Sequence, residues 1–199
     1  AGPGGLSEGF ERYRSGGAKA FRCVLSVEKE KFAHWTLLLR AFFRQFERPP
    51  KEYFAHLRGK LSLRKLYSLY PDQHEAAKAE AIKLTLARWN RDRTDALVRK
   101  ALRGRRNPWV LIGGPPCQAY SLVGRARRRK EDRSEFEKDG RHFLYKEYLR
   151  IIRKFKPQVF VMENVKGLLS SSAKGIEIFE KMLKDFEGAG YTLYSFVKK

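Results

Sequence analysis

The stretch WVLIGGPPCQAYSLVG, residues 109–124, holds an apolar run, two glycines, two prolines and a cysteine in close succession. The run Trp109–Ile112 does not alternate with polar residues, which is typical of a strand buried on both faces of a parallel sheet. Gly113 and Gly114 end this strand, and the prolines fix the backbone of a loop that presents Cys117. Cys117 is a candidate thiolate nucleophile, because the many cations around it would lower the pKa of its thiol.

Apolar runs and helical patterns extend on both sides of this stretch. Strands are predicted at Ala20–Val27, Val159–Met162 and Tyr191–Val197. Helices are predicted at Lys31–Phe46 and where apolar residues recur at helical spacing, from Leu144 to Phe155 and from Ile176 to Phe186. Strands that alternate with helices in this way predict one α/β domain with a doubly wound, mostly parallel sheet.

The segment from residue 53 to residue 104 breaks this alternation. It is polar, rich in alanine, lysine and arginine, and contains no convincing strand. Pro71 and Asp72 are typical of a helix start and Gly104 of a helix end, which predicts one long helix or two in series. We therefore expect a helical insertion over residues 53–104, on one side of the sheet.

The composition is strongly basic, with enough apolar residues for a core. Of 199 residues, 43 are lysine or arginine and 22 are aspartate or glutamate, which gives a formal charge of +21, and 42% are hydrophobic. This surplus favours a polyanionic partner, most commonly nucleic acid, although a solvated basic surface is the open alternative. No apolar run approaches the roughly 20 residues that span a bilayer, so no membrane segment is expected.

The number and spacing of the cysteines and histidines argue against a disulfide scaffold and against a metal site. Two cysteines cannot form a disulfide scaffold, which favours a reducing, intracellular compartment. We interpret Cys23, inside a predicted strand, as a small buried hydrophobe. The four histidines are scattered without paired spacing, so no metal site is predicted.

Acidic residues directly follow two of the predicted strands. Glu28 follows the first strand, about 20 residues after the glycine cluster AGPGG at residues 1–5, and could bind the ribose of a nucleoside cofactor. Glu163 follows the third strand, where we expect partial desolvation, as suits a proton donor. At both positions a surface or capping carboxylate is the alternative. The carboxyl ends of parallel strands share one edge, so Glu28, Cys117 and Glu163 are expected around one crevice.

These motifs resemble those of a known family. GGPPCQAYSLVG (residues 113–124) together with ENV (residues 163–165) closely resembles the DNA cytosine-5 methyltransferases of bacterial type. AGPGG (residues 1–5) is similar to the family's S-adenosylmethionine loop without its preceding strand and aromatic residue. The segment from Asp139 to Leu144 resembles the one that lies between the Cys and Glu motifs. The resemblance implies a Rossmann-like, S-adenosylmethionine-dependent methyltransferase domain.

The resemblance also implies a role for each matching residue. Cys117 would add to C6 of a cytosine while Glu163 engages N3, and C5 would then take the methyl group. The implied cofactor-binding residues are Gly2, Gly4, Gly5, Leu6, Glu28, Pro116 and Leu144. The implied DNA-binding residues are Gln118, Ser121, Arg125, Arg127 and Arg128. A cytosine inside a duplex hides C6, so the base has to be flipped out before this chemistry begins.

The resemblance is partial at both ends of the chain. We expect a catalytic portion that lacks the target-recognition region and is poorly active or inactive alone. The acidic residue that contacts adenine after the family's third strand has no clear equivalent, because Asp92 and Asp95 lie in the predicted helical insertion. The expected setting is the cytoplasm of a bacterium with a restriction–modification system, whose restriction endonuclease would be the partner enzyme.

Two alternatives stay open at this stage. A tRNA cytosine-5 methyltransferase keeps similar Cys and Glu motifs, and a non-catalytic basic nucleic-acid-binding fragment could retain them as relics. Methyl transfer to tRNA but not to duplex DNA would favour the first, and absence of cofactor binding would favour the second. A thiol redox protein is disfavoured because Cys117 has no resolving cysteine nearby.

Overall fold

The computed structural model describes residues 1–103, 108–114, 144–163 and 173–196. The chain forms two compact units, Ala1–Arg105 and Arg106–Lys199, in a mixed α/β architecture. The helices of the first unit are α1 (Gly5–Arg12), α2 (Lys31–Arg44), α3 (Lys51–Leu57), α4 (Leu63–Leu69), α5 (Pro71–Glu80) and α6 (Arg91–Leu102). Its strands are β1 (Arg14–Ser15), β2 (Ala18–Lys19), β3 (Ser26–Glu28) and β4 (Ala81–Lys83). The second unit contains β5 (Val110–Gly113), α7 (Leu144–Phe155), β6 (Val159–Met162) and α8 (Ala173–Glu187).

Helix α2 holds the core of the first unit. Glu30 caps its N-terminus by accepting a hydrogen bond from the Ala33 N–H (2.6 Å). The apolar stripe of α2 packs against α4, α5 and the start of β4; the buried residues of this cluster are Leu37, Ala41, Phe42, Leu66, Ala77 and Ala81. The predicted helix is confirmed, and it ends at Arg44 rather than at Phe46.

Strand β4 corrects the expectation that the segment after residue 53 contains no strand. It pairs in parallel with β3, in the register Ser26↔Ala81, Val27↔Ile82 and Glu28↔Lys83. Of the two alternatives expected from Pro71, one long helix or two in series, the structure has two helices, α5 and α6, and the strand β4 lies between them. A strand of three residues is too short to give a periodic signal in the sequence, and only its partner reveals it. That residues 53–104 are an insertion stays a prediction.

The strand predicted at Ala20–Val27 is present only at its end, in β3. The Cys23 N–H donates to the Glu11 carboxylate, and the Cys23 thiol lies 3.2 Å from the Ser26 hydroxyl. The Glu11 side chain thus accepts the hydrogen bond of the Cys23 N–H, where the predicted strand would have bonded to a neighbouring strand. Cys23 is partly buried, and this burial raises the pKa of its thiol to about 11.

The parallel pair β5 and β6, joined through α7, forms the second unit's sheet. The register runs from Val110↔Val159 to Gly113↔Met162. The Tyr148 hydroxyl of α7 lies within hydrogen-bonding distance of the carbonyl oxygens of Leu111 (3.3 Å) and Val161 (3.1 Å). This contact fixes α7 against both strands. The strands predicted around residues 109–112 and 159–162 are confirmed.

Helices α7 and α8 pack together beside this sheet, and both confirm their predicted helical spacing. The buried residues they share with the segment after α8 are Tyr148, Leu149, Ile152, Met182, Phe186 and Ala189. Phe160 of β6 reaches this cluster, with its ring centroid 4.9 Å from that of Phe186. The apolar faces read from the sequence are the faces that form the core.

The strand predicted at Tyr191–Val197 is wrong for the described residues 191–196, which form no strand. The Tyr191 ring lies 5.3 Å from that of Phe160, and its hydroxyl donates to the Pro157 carbonyl (2.6 Å). Tyr194 and Phe196 are exposed. A β-prone run becomes a strand only beside a partner strand, and none of the described strands pairs with this segment.

The sequence predicts neither a membrane-spanning segment nor a metal site. None of the helices in the described ranges is long and apolar enough to cross a membrane. Within the same residues, no group of three or more His, Cys, Asp or Glu side chains is arranged to hold a metal ion.

Candidate functional site

The glycine cluster at residues 1–5 forms a tight turn into α1. Gly2 and Gly4 have φ angles of 60° and 90°, a left-handed conformation that favours glycine. A Cβ at Gly4 would lie 2.9 Å from Leu37 Cδ1, so the turn also packs closely on α2. Gly5 and Leu6 begin α1. The first N–H groups of a helix have no partner within it, which suits the binding of a polar or anionic ligand end.

The Glu28 carboxylate lies directly beside this turn. It accepts hydrogen bonds from the Gly2 N–H (2.6 Å) and the Glu30 N–H (2.8 Å), and it pairs with the Ala1 ammonium at 3.2 Å. Burial opposes ionisation of Glu28, but the Glu30 N–H, the ammonium and the Gly2 N–H outweigh it and lower the pKa of the carboxyl. The structure therefore brings the glycine turn of residues 1–5 into contact with Glu28, the acidic residue predicted to follow the first strand.

Arg44 joins three helices of the first unit. Its guanidinium forms ion pairs with Glu8 of α1 and Glu80 of α5, and only 8% of its side chain is exposed. Burial disfavours the charge of Arg44, but attraction to Glu80 and then to Glu8 raises its pKa. Sequence reasoning missed this cluster. The sequence contains one sign of this cluster: Arg44 lies at helical spacing from the apolar residues Leu37 and Ala41, which indicates that it faces the core. That spacing does not show which carboxylates pair with Arg44.

Glu163 lies at the carboxyl end of β6, against the end of β5. Its N–H donates to the Gly113 carbonyl (3.0 Å), which extends the strand pairing by one residue. A Cβ at Gly114 would lie 2.9 Å from the Glu163 Cγ and 3.2 Å from its Oε1. Glu163 is among the exposed residues, and its partial desolvation stays a prediction. It stands beyond the last strand pair, where the flanking apolar residues no longer cover it.

Most of the other predicted site residues lie outside the described ranges. These are Pro116, Cys117, Gln118, Ser121, Arg125, Arg127 and Arg128. Leu144 is the first residue of α7, but its side chain is also outside what the structure describes. The roles of all these residues, and the expectation that Glu28, Cys117 and Glu163 share one crevice, stay predictions.

Comparison with known proteins gives a consistent set of relatives. Type II methyltransferase M.Bpa9945I of Bacillus paralicheniformis is 33% identical over 213 aligned positions, which cover 98% of this chain and 45% of that protein. M.FnuDI of Fusobacterium nucleatum is 38% identical over 84 residues, covering 42% of this chain and 22% of that protein. M1.HphI of Haemophilus parahaemolyticus is 40% identical over 84 residues, covering 41% and 20%. The chain thus spans less than half the length of these relatives.

No solved structure gives a significant match to the chain. The family model described as C-5 cytosine-specific DNA methylase matches residues 95–198, a range that contains both Cys117 and Glu163. This match covers more than half of the chain. The chain belongs to the C-5 cytosine-specific DNA methylase family.

Proposed function

We propose that the chain is the cofactor-binding and catalytic portion of an enzyme that transfers a methyl group from S-adenosylmethionine to C5 of cytosine in DNA. Its parallel strand pairs would belong to one doubly wound, Rossmann-like sheet. Relatives named as bacterial type II methyltransferases favour a restriction–modification system, in which a cognate restriction endonuclease cuts the same unmodified site. The cytoplasm is the expected compartment because it holds the bacterial genome.

The observation that carries this proposal is the contact between Gly114 and Glu163. Gly114 is so close to the Glu163 side chain that an added Cβ would lie 2.9 Å from its Cγ. Cys117 follows Gly114 by three residues, and three trans peptide links span at most about 11 Å. A chain of this length would allow the Cys117 thiol to reach a base held by the Glu163 carboxyl.

The residues of the first unit fit an S-adenosylmethionine site. The Glu28 carboxylate offers about four acceptor positions, and the N–H groups of Gly2 and Glu30 use two of them. The Ala1 ammonium also pairs with this carboxylate. The remaining acceptor positions could accept hydrogen bonds from the hydroxyls of a ribose. The turn through Gly4 cannot take a larger residue without moving Leu37, which keeps the backbone N–H groups of Gly5 and Leu6 accessible at the helix start.

We assign the following steps to the chain's own side chains. The Cys117 thiolate attacks C6 of the flipped cytosine and forms an S–C6 bond, while the Glu163 carboxyl holds N3 and supports the charge that moves into the ring. S-adenosylmethionine, when bound, would supply the methyl group to C5 and leave as S-adenosylhomocysteine. Loss of the C5 proton to a water molecule then restores the C5–C6 double bond as the S–C6 bond breaks, which releases Cys117 as a thiolate. Arg125, Arg127 and Arg128 would hold phosphates near the flipped base.

Covalent trapping tests this assignment. The natural protein that contains this chain is incubated with S-adenosylmethionine and duplex DNA carrying 5-fluorocytosine, whose C5 cannot lose a proton. We expect a stable protein–DNA adduct that the Cys117→Ser variant does not form. Cys23→Ala is the matched control and should still form it, because the Cys23 thiol is partly buried with a raised pKa.

Two outcomes would contradict the proposal. An equal adduct yield for Cys117→Ser would exclude Cys117 as the nucleophile. Methyl transfer to tRNA and not to duplex DNA would replace the DNA substrate with an RNA one. Calorimetry with S-adenosylmethionine separates the remaining alternative, because a non-catalytic nucleic-acid-binding protein would show no heat of cofactor binding.

A further inference from the structure

A basic groove lies between helices α7 and α8 of the second unit. It encloses about 490 Å³. The residues that line the groove are Lys146, Leu149, Arg150, Arg153, Lys154, Lys181 and Asp185. Five of these side chains are cationic and only one is anionic, so the groove is complementary to a polyanion.

Three of the cations form a row along α7. Lys146, Arg150 and Lys154 recur every four residues, which places them on one side of the helix at steps of about 6 Å, or about 12 Å in total. The opposite side of α7 carries the buried Tyr148 and Ile152. The row is therefore held on a helix whose orientation is fixed by the core.

The two walls of the groove are also bridged directly. The Arg153 guanidinium of α7 donates to the Asp185 carbonyl of α8 (3.1 Å), and the Tyr145 hydroxyl donates to the Asp185 carboxylate (3.4 Å). Lys156, just after α7, donates to the Ala189 carbonyl (3.3 Å). Leu149, only 3% exposed, forms the floor. These contacts fix the separation of α7 and α8, so the cations are organised before a ligand arrives.

We propose that this groove binds the sugar–phosphate backbone of duplex DNA outside the base that reacts. This inference rests on the proposed function in one respect: both require that the protein binds DNA. B-form DNA carries one phosphate per 3.4 Å of axis on each strand, so a row of about 12 Å faces about three or four phosphates. The row is thus long enough for its three cations each to face a different phosphate of one strand.

The topology gives the direction of the row. Helix α7 connects two parallel strands, β5 and β6, and therefore runs opposite to them. Its N-terminal end, near Lys146, lies toward the carboxyl edge of the strands, where Glu163 is placed, and Lys154 lies toward the other edge. DNA that enters at the reacting edge could follow the row away from it. Such contacts would increase the affinity for DNA without recognising its base sequence.

Salt-dependent DNA binding tests the groove. The variant Lys146→Gln/Lys154→Gln/Lys181→Gln removes three charges and leaves polar side chains, and it keeps the Arg150–Glu147 and Arg153–Asp185 ion pairs. A matched control, Lys60→Gln/Arg64→Gln/Lys65→Gln, removes the same charge from exposed positions of the first unit. Binding of a duplex without a cytosine target is measured between about 0.05 and 0.2 M salt, because each lost phosphate contact lowers the slope of log K against log salt by about 0.9.

We expect the groove variant to bind at least about tenfold more weakly at 0.1 M salt, with a slope lower by about two to three, while the control changes the slope by less than one. Equal losses in the two variants would overturn the proposal, because total charge rather than the groove would then set affinity. Binding of anionic phospholipid vesicles that depends on the groove residues, with DNA binding unaffected, would overturn it in favour of a membrane surface. Trapping by Cys117 is measured on both variants, so a failure of the proposed chemistry is detected separately.

Discussion

At the residue scale, the shape of the candidate cofactor turn depends on one glycine. Gly4 combines a φ of 90° with a contact that leaves no room for a Cβ beside Leu37. Gly9, one turn further along α1, has open space where its Cβ would be. The two glycines therefore respond in opposite ways to the same substitution.

We predict that Gly4→Ala lowers the free energy of unfolding by about 2–4 kcal/mol, because it adds left-handed strain to overpacking against Leu37. Gly9→Ala is the matched control and should raise it by about 0.5–1 kcal/mol, since alanine favours a helix interior. Urea unfolding measures both changes. A Gly4→Ala variant as stable as the wild type would contradict the tight packing of this turn.

The Glu28 carboxylate gives the same turn a pH dependence. Its folded pKa is lower than the unfolded value of 4.5, so its stabilising effect is present above pH 4.5 and is lost as the pH falls through the folded pKa. We predict that Glu28→Gln lowers the free energy of unfolding by about 1 kcal/mol at pH 7, the order of one hydrogen bond to a charged acceptor near the surface. The difference should shrink as the pH falls from 4.5 through the folded pKa.

Urea titrations at several pH values check this prediction. Glu47→Gln changes an exposed carboxylate and serves as the control, with an expected effect within about 0.5 kcal/mol at either pH. A Glu28→Gln effect that stays constant from pH 7 to pH 3 would show that the carboxylate does not hold the Gly2 turn through its charge.

At the scale of elements, ionic contacts bind α1 to the rest of the first unit. Arg44 of α2 pairs with Glu8 of α1 and Glu80 of α5, and all three side chains are largely buried. Without the guanidinium, two carboxylates would remain in a poorly solvated region. The position of α1, and of the glycine turn at its start, thus depends on a side chain that belongs to another helix.

We predict that Arg44→Met lowers the free energy of unfolding by about 3–5 kcal/mol, the usual effect of leaving buried charges without their partner. Adding Glu8→Gln and Glu80→Gln should recover part of this loss. Arg64→Met, at an exposed position of α4, is the control and should stay within about 0.5 kcal/mol of the wild type. Equal effects of Arg44→Met and Arg64→Met in thermal or urea unfolding would refute this role.

At the scale of the whole molecule, the charge of +21 opposes compaction. Salt screens this repulsion, since the Debye length falls from about 30 Å at 0.01 M to about 8 Å at 0.15 M. We predict that the melting temperature rises over this range. The Lys60→Gln/Arg64→Gln/Lys65→Gln variant should show a smaller rise, and a melting temperature that falls with added salt would contradict the prediction.

The sequence alone determined the features that depend on local patterns. The apolar spacing of α2, α7 and α8 fixed their positions, and the uninterrupted runs before Gly113 and Glu163 fixed β5 and β6. The Cys and Glu motifs by themselves indicate the family. These features are readable because the helix and strand periods repeat within one segment of chain.

Only the tertiary structure decided features whose stability comes from distant residues. Strand β4 exists because β3 pairs with it, residues 191–196 are not a strand because no described strand does so, and Glu11 rather than a ladder takes the Cys23 N–H. Arg44 likewise pairs with carboxylates that lie 36 positions before and 36 positions after it. Such pairings depend on which surfaces meet in three dimensions. The sequence of one segment does not show which distant segment will pair with it.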